Sequence, residues 1–236
     1  MTSPLELLCI DKPAGMTSFG VVARVRRIVG IKKAGHAGTL DPLATGLMLV
    51  GVGAGTKALT GLVKLDKEYV TEILIGQTRS TGDMEGVVLD ARAVATPIPD
   101  ALLRETLQGL IGEITLPVSA YSAIKVDGIP MYKRARKAEA QGEVVSAVPS
   151  RLMRVDEAEL IASRTITHEG MACQLVTVRF SVGSGTYIRS LGEEFGRRLG
   201  YPATLYSLRR TRVGEYRIAD AVTLEALAAA HGTTLF

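Results

Sequence analysis

The chain has 236 residues, 47% of them hydrophobic and 22% charged, with a formal net charge of +4. This is an ordinary globular composition with length for a sizeable core, in one large domain or two packed lobes. Cys9 and Cys173 exclude a disulfide framework, and no apolar stretch approaches a membrane span. His36, His168 and His231 are too far apart for zinc-type spacing, and the N-terminus has no charged region followed by an apolar run. The chain therefore reads as cytoplasmic, with two buried free thiols, no bound metal and no membrane association.

The elements follow in order. A short apolar strand covers 7–10. Thr17 or Ser18 caps a helix running to about Val29, with Gly30 as its stop and Val21, Val22, Val25, Ile28 and Val29 as its apolar face. A glycine-rich loop occupies 35–46, a buried strand 47–52 and a helix 56–65. Strands over 69–75 and 87–91 flank a polar connection at 78–86. A helix spans 99–111 with Pro99 in its first turn. Residues 117–142 carry Gly128, Pro130, many cations and few large apolar groups after Tyr132, and read as a partly exposed excursion with a short helix. Strand signals return over 144–163, and Val176, Val178, Phe180 and Val182 alternate with polar residues as in a half-buried strand. Gly183 to Thr186 breaks the chain. Ile188, Leu191, Phe195 and Leu199 mark a helix ending at Gly200, followed by a strand over 204–213 and a terminal helix over 224–230. The sum is an α+β protein with a mixed, largely antiparallel central sheet and flanking helices.

The positive charge falls in three clusters: Arg24, Arg26, Arg27, Lys32 and Lys33; Lys133, Arg134, Arg136 and Lys137; and Arg197, Arg198, Arg209, Arg210 and Arg212. Each alone reads as a solvated face; together they suit a phosphate backbone.

The loop Gly35-His36-Ala37-Gly38-Thr39-Leu40-Asp41-Pro42-Leu43-Ala44-Thr45-Gly46 holds one imidazole and a lone carboxylate between apolar segments. A carboxylate on a loop fixed by a rigid scaffold serves as a nucleophile or base. Asp-Pro equally opens a type I turn, and the local pattern leaves both readings open. The later Gly51-Val52-Gly53-Ala54-Gly55-Thr56-Lys57 is not a nucleotide loop, because Thr56 stands where a P-loop and a dinucleotide fingerprint each need glycine.

Five further segments flank this loop in order: Asp11-Lys12-Pro13-Ala14-Gly15-Met16-Thr17-Ser18, Lys67-Glu68-Tyr69, Tyr121-Ser122-Ala123-Ile124-Lys125, Gly185-Thr186-Tyr187-Ile188-Arg189 and Leu208-Arg209-Arg210. The set resembles the TruB family of tRNA pseudouridine synthases over roughly residues 8–227. The resemblance implies a pseudouridine-synthase-like fold and an isomerase that converts uridine 55 of the tRNA T-loop to pseudouridine without a cofactor or an obligatory protein partner. It implies Asp41 as the catalytic carboxylate and Arg189 as its partner, where an unrelated surface pair is the plain alternative. It places Tyr69 and Tyr187 against the target base and Leu208 in the uracil-pocket wall, positions that otherwise read as core or helix-capping groups. It gives His36 the space vacated by the flipped base, and sets Lys12, Lys57 and Lys125 near the RNA or active site. The 117–142 excursion resembles the family's RNA-gripping thumb, which would put Lys133 and Arg136 on phosphates. The whole of 1–236 then reads as the catalytic domain, without the PUA domain that usually follows. Leu116 and Val118 depart from the Gln and Pro more usual there. A related synthase acting on another RNA uridine, or an RNA-binding or tRNA-chaperone module, stands as the alternative.

Overall fold

The computed structural model describes residues 7–122, 124–139, 141 and 148–233. In chain order the elements are β1 (Leu7–Lys12), α1 (Ser18–Val29), β2 (Ala34–His36), β3 (Thr45–Val52), α2 (Leu59–Leu62), β4 (Lys67–Ile75), β5 (Gln77–Arg79), β6 (Val88–Ala91), α3 (Asp100–Gln108) and β7 (Gly112–Pro117). Then come β8 (Lys125–Val126), β9 (Ile129–Pro130), α4 (Met131–Glu139), β10 (Ser150–His168), β11 (Met171–Val182), α5 (Ile188–Leu199), β12 (Ala203–Val213), β13 (Tyr216–Arg217) and α6 (Leu224–Ala230). The chain forms two compact units, Met1–Val70 with Leu208–Phe236, and Thr71–Ser207. The division falls inside β4 and β12.

In the first unit β1 and β2 both pair antiparallel with β3, while β12 pairs parallel with β3 through Arg209 opposite Thr45 and Arg210 opposite Gly46. Helix α1 begins as its sequence requires: the Thr17 side chain accepts the Gly20 N–H at 3.0 Å, and Gly30 closes the helix in the left-handed region. Its apolar face, Val21, Val22, Val25 and Ile28, packs with Leu8, Ile10, Met48, Val50 and Val52 of the strands and with Leu224 and Leu227 of α6. A second cluster unites Ala37, Leu47, Leu49 and Val213 with Leu59, Leu62 and Leu65.

The second unit orders its strands β4–β11–β10–β7, and the β10–β11 and β10–β7 pairs are antiparallel. Glu169 and Gly170, both with positive φ, turn β10 directly into β11. Leu103 and Leu107 bury one side of α3, and Ile188, Leu191 and Phe195 one side of α5.

The α+β class and the largely antiparallel sheet hold. Several boundaries do not. The helix expected over 56–65 is a 3-10 turn, Gly53–Lys57, followed by the single-turn α2. Glycines at 53, 55 and 61 weaken any longer helix there. Pro99 is the N-cap of α3 and lies outside its first turn. The loop expected from residue 35 starts two residues later, since β2 extends through His36 on β3. Strand β7, Gly112–Pro117, is exposed along most of its length and shows no clean alternation. The excursion contains a small hairpin and α4, whose Met131 and Ala135 are buried. Ala123, Gly142, Val144 and the Arg136 side chain, named above, lie outside the described residues. Cys173 is a buried thiol, whereas Cys9 is only half-buried.

One position tests the β3–β12 pairing. Gly46 has φ +102°, and a Cβ there would stand 2.3 Å from the Arg210 carbonyl oxygen and 2.8 Å from its nitrogen. Gly46→Ala should destabilise the protein by at least about 2–3 kcal/mol in urea unfolding, combining left-handed strain with a backbone clash. Gly30→Ala, with nothing within 4 Å of its Cβ, should cost only about 1 kcal/mol.

Candidate active site

Residues 37–44 join β2 to β3 and carry Asp41. The backbone of this segment is held from below by three side chains. Lys12 is 0% exposed, and its ammonium donates to the carbonyls of Ala44 at 2.6 Å, Pro13 at 2.9 Å and Pro42 at 3.1 Å. Ser18 Oγ donates to the Leu40 carbonyl and accepts the Leu40 N–H, each at 2.9 Å. Arg210 is 1% exposed, and donates through Nε to the Leu47 carbonyl at 2.7 Å and through Nη2 to the Gly38 carbonyl at 3.3 Å. The turn reading of Asp41-Pro42 also holds: the Ala44 N–H reaches the Asp41 carbonyl at 3.1 Å. Leu40 and Ala44 are buried on either side, while Asp41 keeps partial exposure at the corner. The structure thus shows the turn, with Asp41 at its partly exposed corner.

Strand alternation adds two more groups. A Cβ built on Gly38 would lie 3.6 Å from Arg210 Nη1 and 3.8 Å from Lys67 Cε, so β4 and β12 turn these two cations toward the loop. Tyr69 follows Lys67 by two positions and Leu208 precedes Arg210 by two, so each lies on the same strand face as its cation. Both are buried. His36, at the end of β2, is half-buried. Burial, and then the Arg210 charge, holds its imidazole below the usual histidine range, against an opposing hydrogen bond to the Gly38 backbone.

In the second unit, Tyr187 is the N-cap residue of α5 and is half-buried. Arg189, in the first turn of that helix, is buried. Its guanidinium donates to the Thr81 carbonyl at 2.9 Å and the Tyr121 carbonyl at 3.4 Å, with Asp83 Oδ2 at 3.8 Å. Thr81 and the Glu85 N–H hold the other Asp83 oxygen at 2.5 and 3.1 Å. Glu193 is raised to about 7 by burial, against the opposing Arg189 charge and with Asp83 adding to it. Sequence reasoning missed Asp83 and Glu193. The polar Thr81-Gly82-Asp83 in the β5–β6 connection was the available signal.

The basic clusters separate sharply. Lys12, expected near the RNA or active site, lies fully buried beneath the Asp41 loop, out of reach of a phosphate. Arg210 shares that position. Arg209 forms a two-pronged pair with Asp11 at 2.7 and 3.1 Å, and Arg197 and Arg198 grip Glu194 at 2.6 and 2.7 Å. In the third cluster Arg197, Arg198 and Arg209 are thus engaged in ion pairs, although Arg197 stays largely exposed. Arg27, Lys32, Lys33, Lys57, Lys125 and Lys133 are exposed. Among the described residues no group of three or more His, Cys, Asp or Glu side chains could hold a metal ion, and no helix is long and apolar enough to cross a membrane.

Two family models together identify the chain as a pseudouridylate synthase. Residues 26–188 match the model of the TruB family pseudouridylate synthase N-terminal domain, and 189–234 that of the tRNA pseudouridylate synthase B C-terminal domain. The chain belongs to the TruB family, and is an enzyme that isomerises uridine to pseudouridine in tRNA. It is 46% identical over 228 residues to tRNA pseudouridine synthase B of Leifsonia xyli, covering 94% of this chain and 72% of the relative. The protein of the same name from Mycobacteroides abscessus is 43% identical, covering 100% and 76%. A crystal structure of a Cbf5-Nop10-Gar1 complex superposes with a TM-score of 0.66 at 26% identity, over 96% of this chain and 54% of that one. The archaeal box H/ACA sRNP Nop10-Cbf5 complex gives 0.64 at 27%, over 96% and 53%. The chain thus spans about half the length of those structural neighbours. The boundary between the two family models falls at the start of α5, inside the second compact unit.

Lys67 gives this site a measurable signature. Its ammonium donates to the Val63 and Leu65 carbonyls at 2.8 and 2.5 Å, and burial, then Arg210, pushes it down to about 8. Between pH 8 and 10.5 the folded state binds fewer protons at Lys67 than the unfolded state, so its contribution to stability rises with pH across that window. Denaturation of wild type and Lys67→Met at several pH values should show wild type gaining on the variant by on the order of 1–3 kcal/mol from pH 8 to 10.5. A constant difference would contradict the assignment.

Proposed function

We propose that Asp41 is the catalytic carboxylate of this tRNA pseudouridine synthase and that its target is uridine 55 in the T-loop. The observation that carries the reading is the clamp of Lys12, Ser18 and Arg210, which fixes the Asp41 turn from inside the core while leaving the carboxylate partly open to a substrate. Pseudouridine formation detaches uracil from C1′, turns it over and rejoins it through C5. Substrate and product are isomers, so no redox partner or energy source enters. An ionised carboxylate held rigidly at the sugar or base serves each chemical route: addition to the base, attack at C1′, or removal of a sugar proton.

Tyr69 and Leu208 line the uracil pocket in this reading. The roles of Tyr187 at the base and of Arg189 as the partner of Asp41 rest on the family resemblance. Extruding the base costs on the order of a few kcal/mol, which stacking on Tyr69 and occupation of the vacated space by His36 offset. A neutral imidazole suits insertion between bases better than a charged one, because less hydration is lost. Lys57, Lys125, Lys133 and Arg136 grip phosphates of the T-arm, the last two on the thumb-like excursion. The chain acts as a catalytic domain, without a cofactor or obligatory protein partner, in the cytoplasm.

Asp41→Asn keeps the shape of the turn and removes the charge. Its single-turnover rate of tritium release from C5-labelled uridine in tRNA should fall at least about 10³-fold, roughly 4 kcal/mol of barrier, with tRNA affinity nearly unchanged in filter binding. A rate within tenfold of wild type would remove Asp41 from the role. Mapping the product should place pseudouridine at position 55; modification elsewhere would reassign the substrate.

Losing Lys133 and Arg136 together should weaken tRNA binding and flatten the log–log salt plot by up to about 2 units, while leaving the saturated chemical rate close to wild type. Unchanged affinity and slope would move the grip to the Arg24–Lys33 cluster.

A further inference from the structure

Phe19 is 77% exposed, the most exposed large hydrophobic side chain among the described residues. It sits in the first turn of α1, off the buried face formed by Val21, Val22, Val25 and Ile28. Its ring meets the His36 ring edge to face, with centroids 5.5 Å apart and planes at 82°. The residue before it, Ser18, is bolted in both directions to Leu40, the residue before Asp41. The aromatic pair is therefore held at a fixed place beside the Asp41 turn by the same hydrogen bonds that hold the turn. The exposed cations Arg27, Lys32 and Lys33 belong to the same helix and to the segment that leads into β2.

An exposed aromatic ring packed against a half-buried imidazole, on a helix that also carries the exposed Arg27, matches the chemistry of single-stranded nucleic acid recognition, where bases stack on rings and phosphates meet Lys and Arg. Folding gives no reason for the ring to be there, since its face is left in water. We infer that the Phe19–His36 pair is a stacking platform for an unpaired nucleobase of the substrate RNA, adjacent to the nucleotide delivered to Asp41. This deepens the reading above and rests on it: the base is one displaced from its neighbours when the target uridine leaves the stack. The two rings meet edge to face, and most of the Phe19 side chain stays in water, open to the base.

The chain contains no tryptophan, so Phe19→Trp introduces a single reporter at the platform. Excited selectively, its emission should be quenched on titration with unmodified tRNA. The companion variants Phe19→Ala and Phe19→Leu should bind tRNA about tenfold or more weakly, a loss of roughly 1.4 kcal/mol, with the salt slope unchanged because no charge is altered. Phe19→Trp should bind at least as tightly as wild type. Melting temperatures of all three should stay near wild type, because the ring is exposed, which separates recognition from folding. Emission unaltered by tRNA, or wild-type affinity in both Phe19→Ala and Phe19→Leu, would overturn the platform. Full affinity in Phe19→Leu alone would also overturn it, showing an apolar contact without stacking. These are binding readouts and can be taken in the Asp41→Asn background. A failure of the catalytic assignment would appear in tritium release instead, so the two failures are distinguishable.

Discussion

Two buried cations beneath one loop are the constraint on which the rest of the first unit depends. A segment that leaves β2, turns at Asp41-Pro42 and enters β3 directs carbonyl oxygens of Gly38, Pro42, Ala44 and Leu47 into the interior. Oxygens removed from water must be met by donors, or each costs on the order of 1–3 kcal/mol. Lys12 and Arg210 meet them from β1 and β12. Burying a charge is expensive, and several short charge-assisted hydrogen bonds per cation offset that cost. The result is a rigid turn rather than a mobile loop, and a rigid turn is what placement of one carboxylate requires.

The same charge reaches beyond its hydrogen bonds. Arg210 contributes to the lowered proton affinity of both His36 and Lys67, second in each case to burial. A clamp that satisfies backbone carbonyls therefore also disfavours protonation of a nearby imidazole. Structural support and electrostatic tuning come from one side chain, which links the fold of the turn to the chemistry at its surface.

Most cations in β12 and at the end of α5 are engaged by Asp11, Glu194 and backbone carbonyls, while Arg27, Lys32, Lys33, Lys57, Lys125 and Lys133 are exposed. Pairing weakens the field a charge projects toward a phosphate backbone. The modest net charge therefore understates how unevenly positive potential is distributed. The residues proposed for catalysis are divided too: Asp41, His36, Tyr69 and Leu208 in the first unit, Tyr187 and Arg189 in the second.

The sequence by itself determined the periodic elements and the family. The apolar stripes of α1 and α5, the Thr17 cap, the Gly30 stop and the alternation in β11 are local patterns, and local sterics and amphipathicity set them. The glycine-rich Asp41 loop and the motifs around it are likewise contiguous, so their order alone carried the resemblance. Only the tertiary structure decided what the charged residues do. Lys12 and Arg210 lie far apart in the chain and look like any other basic residues; that both end beneath one turn depends on the antiparallel β1–β3 and parallel β12–β3 pairings. Asp83 and Glu193 approach Arg189 only once α5 packs against the β5–β6 connection. The exposure of Phe19 follows from which face of α1 is buried, while its contact with His36 depends on the Ser18–Leu40 hydrogen bonds. A charge or a ring acquires its role from the dielectric and the partners around it, and those are properties of the assembled fold.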